Sequence, residues 1–92
     1  MIAPEAVPFL PRGVRLKYDA VRGFDVLLGP ERVVTLDAIG KSILAEIDGA
    51  LDIAGVAEML SIKFDAPREV IEPDVQAFMQ DLIEQGFVHV AP

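Results

Sequence analysis

The sequence predicts an α+β domain built as a three-stranded antiparallel sheet followed by a three-helix bundle. Two patterns carry that prediction. Between residues 14 and 36, three short segments rich in β-branched and aliphatic residues are separated by glycine-containing turns, and from residue 37 onward apolar residues recur at three- and four-residue spacing. A third observation bounds the answer. With 92 residues, 52% of them hydrophobic, the chain has material for one core and one domain.

Residues 1 to 11 set Pro4, Pro8 and Pro11 among Ile2, Val7, Phe9 and Leu10. That composition predicts an extended, polyproline-like arm in preference to helix or sheet. Its apolar side chains need cover, either on the parent domain (residues 12 to 92) or on a second copy, so a monomer and an arm-exchanged homodimer both remain open.

The first predicted strand is Val14-Arg15-Leu16-Lys17-Tyr18-Asp19, where apolar and charged residues alternate. Ala20-Val21-Arg22-Gly23 links it to Phe24-Asp25-Val26-Leu27-Leu28. Gly29-Pro30-Glu31 then turns the chain into Arg32-Val33-Val34-Thr35-Leu36. A meander is the simplest assembly of the three.

Asp37 is the expected N-cap of a first helix carrying Ile39, Ile43, Leu44 and Ile47, ended by Asp48-Gly49 with the glycine at the left-handed C′ position. Asp52 caps a second, with Ile53, Val56, Ala57 and Leu60 at helical spacing and Phe64 continuing the stripe up to Asp65-Ala66-Pro67. A third is expected to begin near Glu72-Pro73-Asp74, since proline suits the first helical position, and to end at Gly86. Its apolar face of Ile71, Val75, Phe78, Met79, Leu82 and Ile83 is wider than one side of a small core requires. Either part of it serves a partner or all six residues pack in the core, and for any single residue the core is the stronger expectation. Phe87 to Val90 reads as a closing strand or tail.

The groups that chemistry needs are scarce. There is no cysteine, and the one histidine, His89, has no second ligand nearby to share a metal, so neither cofactor nor enzymatic activity is expected. Asp48, Asp52, Glu72 and Asp74 fall where helix caps and first turns use carboxylates. Gly40-Lys41-Ser42 resembles the end of a P-loop, but Thr35 stands where that motif requires glycine. Every apolar stretch is broken well short of the ~20 residues that span a bilayer, so a cytoplasmic protein without membrane contact is expected.

Charge is unevenly distributed. Residues 12 to 32 carry five basic groups against three acidic ones, whereas residues from 37 onward carry eleven acidic groups against three basic ones. A winged-helix arrangement of these elements would raise the possibility of nucleic-acid binding, but the predicted third helix has four carboxylates and no cation to meet phosphate.

The outer strands of the meander differ. The first is guarded by Arg15, Lys17 and Asp19, while Val33-Val34-Thr35-Leu36 has no charge after Arg32. An extended peptide could add to that unguarded edge, unless the arm or the Phe87 to Val90 segment already covers it. Either Val33 and Thr35 or Val34 and Leu36 face the core; alternation does not say which.

Several short runs, in order, resemble the PqqD family of pyrroloquinoline quinone biosynthesis over residues 12 to 87. They are Arg15-Leu16, Leu27-Leu28-Gly29-Pro30-Glu31-Arg32, Leu36-Asp37, Ile43-Leu44 with Asp48-Gly49, and Asp74-Val75 with Leu82. The resemblance implies a winged-helix-like peptide chaperone, a recognition element for ribosomally made, modified peptides. It implies two partners: the precursor peptide PqqA, and the radical S-adenosylmethionine enzyme PqqE, which crosslinks a glutamate and a tyrosine within it. A recognition element of another modified-peptide pathway is the alternative, and a winged-helix regulator of transcription a more distant one.

By position, the implied peptide surface comprises Arg32, Val33, Val34, Thr35 and Leu36, with Val75, Phe78, Met79 and Leu82 opposite. Arg32 and Arg15 are expected to meet acidic groups on the peptide or the enzyme.

Overall fold

The sheet is ordered β2-β3-β4, from Arg15–Asp19, Phe24–Leu28 and Val33–Leu36. Both pairings are antiparallel and aligned so that Leu16, Leu27 and Val34 stand side by side across it. This row faces the helices. Leu27 and Leu36 are buried in the main core, whereas the opposite face carries Arg15, Lys17, Val33 and Thr35. The computed structural model describes residues 2–91; Met1 and Pro92, the outer ends of the predicted arm and domain, lie outside them.

Helices α1 (Ala38–Ala45), α2 (Ile53–Phe64) and α3 (Arg68–Glu84) follow, completing the α+β, winged-helix-like plan. Two starts are those the sequence predicts: Asp37 and Asp52 each accept, at 2.7 Å, from the third amide of the helix they cap, Gly40 and Gly55. Ile43, Leu44, Ile53, Val56, Leu60, Val75, Met79 and Leu82 interlock beneath the sheet with Phe87 and Val88. Each fully buried side chain of this size stabilises by about 1.5–3 kcal/mol.

Three expectations are corrected. The third helix starts at Arg68, not near Glu72, and Pro73 lies inside it. Proline there removes only the bond that would reach the Glu69 carbonyl near the helix start. Packing of α3 on α2 holds the extra turn, and Arg68 pairs with Glu72 across it at 3.6 Å. The start signal was Pro67, whose carbonyl accepts from Val70 and Ile71.

The first helix ends at Ala45, short of Asp48-Gly49. Tight turns from Glu46 to Ile43 and from Ile47 to Leu44 close it, and Asp48 then accepts the amides of Ala50 and Leu51 while Gly49 takes φ +80°. Gly49 thus turns the loop and does not cap the helix.

The third correction is the arm. Val7–Phe9 forms a strand, β1, paired antiparallel with β5 (His89–Ala91). Proline is tolerated because a two-stranded ribbon consists only of edges. The arm also closes on α2: Ala6 and Pro4 carbonyls accept from Ile53 and Ala54, amides that the first turn of a helix leaves free, and Ile2 is buried in the core.

Candidate functional site

The predicted third strand, now β4, has a single neighbour among the described residues. Gly29 donates to the Arg32 carbonyl at 2.8 Å, which sets the phase of the β3–β4 ladder. Hydrogen-bonded pairs alternate along an antiparallel ladder, so Leu27–Val34 and Asp25–Leu36 are bonded pairs. The amides and carbonyls of Val33 and Thr35 therefore point away from β3. Four backbone groups stand along an open edge.

Two segments had the composition to close that edge, the arm and the C-terminal segment. They pair with each other instead, Phe9 opposite His89 and Val7 opposite Ala91. The His89 ring meets Phe9 edge-on at 5.9 Å, a contact that fastens this ribbon.

Residues on either side of β4 touch α3 and the segment just after it. At one end the Arg32 guanidinium donates to the Gln85 carbonyl and lies 4.5 Å over the Phe87 ring. At the other, just past β4, the Phe78 ring packs on Gly40, where an added Cβ would come within 3.1 Å. That close approach is the use of Gly40 in a run that only superficially resembled a phosphate loop. The α3 last turn has no basic residue of its own, so Arg32 supplies, from the strand, the cation that a helix C-terminus favours.

The residues singled out from sequence separate accordingly. Val34 and Leu36 face the core and Val33 and Thr35 face outward. Val75, Met79 and Leu82 are at most 2% exposed, because this stripe of α3 packs into the core beneath the sheet. Phe78 alone of the four opposite positions keeps partial exposure and stands at the flank of the stripe. Arg32, expected to meet a partner, is engaged with its own chain. Arg15 is exposed on the outer sheet face, opposite Leu28. What sequence reasoning missed is the Arg32–Gln85–Phe87 cluster, whose members lie far apart in the chain.

Among the described residues no group of three or more potential ligands could hold a metal ion, and no helix is long and apolar enough to cross a membrane. The arrangement can align an extended chain by main-chain bonding along β4 and receive side chains beside α3.

Residues 26–88 match the family described as coenzyme PQQ synthesis protein D (PqqD). A relative called PqqA binding protein, from Rhodopseudomonas palustris strain CGA009, is 46% identical over 81 residues, covering 88% of this chain and 79% of the relative. The solution structure of the PqqD truncation of Methylobacterium extorquens PqqCD, described as a functional, stand-alone recognition element for ribosomally synthesized and modified peptides, superposes with a TM-score of 0.84. It is 35% identical, over 97% of this chain and 95% of that one. The crystal structure of PqqD from Xanthomonas campestris gives a TM-score of 0.60 at 38% identity, covering 95% and 97%.

Proposed function

Because this chain belongs to the PqqD family, we propose that it is a peptide chaperone of pyrroloquinoline quinone biosynthesis, binding the precursor PqqA along β4 and presenting it to the radical enzyme PqqE. One observation supports the placement: among the described residues β4 keeps an unpaired edge while the arm and the C-terminal segment pair with each other.

Bonding at Val33 and Thr35 supplies four backbone hydrogen bonds at ~1 kcal/mol each. Two apolar side chains of the peptide buried against the protein would contribute ~2 kcal/mol each. Ordering the peptide offsets about 2–5 kcal/mol of this, which leaves an affinity between roughly several millimolar and tens of micromolar from these contacts alone. Contacts with α3 involve Phe78 first, since Val75, Met79 and Leu82 lie beneath the surface and support it from behind. The role is binding, and the covalent chemistry belongs to the partner enzyme.

Thr35→Pro tests the placement. Its amide points outward, so proline removes one edge donor and leaves the ladder to β3 intact. A folded variant with PqqA affinity reduced about fivefold or more is expected by calorimetric titration, since one bond of ~1 kcal/mol is lost. Undiminished affinity would move the peptide to another surface.

A further inference from the structure

Helix α3 extends N-terminally well beyond its contact with Gly40. Its C-terminal end lies at Arg32, its middle at Gly40, and its N-terminal half lines an apolar cavity of about 210 Å³. Ile39 and Ile43 of α1, Phe64 of α2, and Ile71 and Val75 of α3 form the walls, with Asp74 as the polar group among them. The mouth is uncovered: Ile39 is 63% and Phe64 50% exposed. Asp74 has no ion-pair partner among the described residues.

The helix serves as a ruler. The roughly fourteen residues from Ile71 to Gln85 span ~21 Å at 1.5 Å per residue. An extended chain at ~3.3 Å per residue covers that distance in about six or seven residues. Some four of them lie beside β4, so the next two or three reach the cavity.

We propose that this cavity is a second anchoring subsite for the same peptide, taking one apolar side chain two or three residues beyond the segment added to β4, next to a cationic residue that pairs with Asp74. The inference rests on the edge reading given above. The volume fits a single aromatic or branched aliphatic side chain, since an apolar cavity of ~150 Å³ already holds benzene. The carboxylate selects the neighbour. An acidic residue beside the anchor would be repelled by Asp74, whereas a lysine or arginine gains an ion pair at the edge of an apolar surface.

The test is calorimetric titration of the full chain with PqqA and with PqqA shortened stepwise from either end, using wild type, Ile39→Glu and Thr35→Pro. Ile39 is exposed in the first turn of α1, where a carboxylate suits the helix dipole, so that variant should keep its fold and melting temperature. Wild type is expected to lose at least tenfold in affinity when trimming at one end removes the anchor. Ile39→Glu should show that loss already with intact PqqA and lose nothing further on trimming. If Ile39→Glu weakens intact and trimmed peptides equally, or neither, while Thr35→Pro still weakens binding, the edge stands and the subsite falls. If Thr35→Pro binds as wild type does, both fall.

Discussion

Asp48 stands in solvent, yet its carboxyl is held below the ordinary value of 3.8 because the Leu51 and Ala50 amides donate to it. A folded-state pKa below the unfolded one contributes stability above about pH 4, and that contribution is lost as pH falls through the depressed value. Asp48→Asn keeps an acceptor but loses the charge. Its stability deficit relative to wild type is expected to be largest at neutral pH and to shrink by pH 3, measured by urea unfolding at both. Arg32 belongs to the same scale. Its contact with the α3 C-terminus and the Phe87 ring amounts to about 1 kcal/mol in all, so Arg32→Met should lower stability by that amount. The salt dependence of PqqA association should hardly change in Arg32→Met, whereas Arg15→Glu, on the free outer face, should alter it, as stopped-flow rates would register. The Asp48-Gly49 turn could be read from neighbouring residues. Arg32 could not, because its partners are some fifty residues away.

Among the elements, the three strands of the sheet and the first two helix starts were legible in the sequence because their signals are local: alternation, a glycine-containing turn, an aspartate before an apolar period. The start of α3 was misplaced because proline carries opposite meanings at neighbouring positions. Pro67 opens the helix, and Pro73 is carried within it. Restoring the missing donor and relieving the ring should help, so Pro73→Ala is expected to stabilise the protein by about 1 kcal/mol or more, seen as a higher urea midpoint. No shift would mean that α3 has already relaxed around the proline. The candidate edge follows the same logic. That β4 carries no charge could be read directly; that Val34 and Leu36 turn inward, exposing the backbone of Val33 and Thr35, depends on which face the helices cover.

For the whole molecule, the arm decides how much of the surface stays free. Deleting residues 1–10 removes buried Ile2 and Pro8, the β1–β5 pairing and the two bonds to the start of α2. A loss of at least ~4 kcal/mol in unfolding free energy is expected, because the two buried side chains alone contribute roughly 1.5–2 kcal/mol each and the lost hydrogen bonds add to it. The folded fraction should still bind PqqA as before, because β4 gains or loses no neighbour; titration alongside urea unfolding separates the two effects. The sequence by itself determined the class of the domain, the order of the three sheet strands and of the helices, the family it resembles and the strand least protected by charge. Each of these is written in residues close together along the chain. Tertiary structure alone decided that the arm pairs with the C-terminal segment and not with β4, that Val75, Met79 and Leu82 are core while Phe78 stays partly exposed, and that Arg32 fastens β4 to α3. These outcomes depend on which distant surfaces meet, since burial and pairing are settled by competition among all the elements at once.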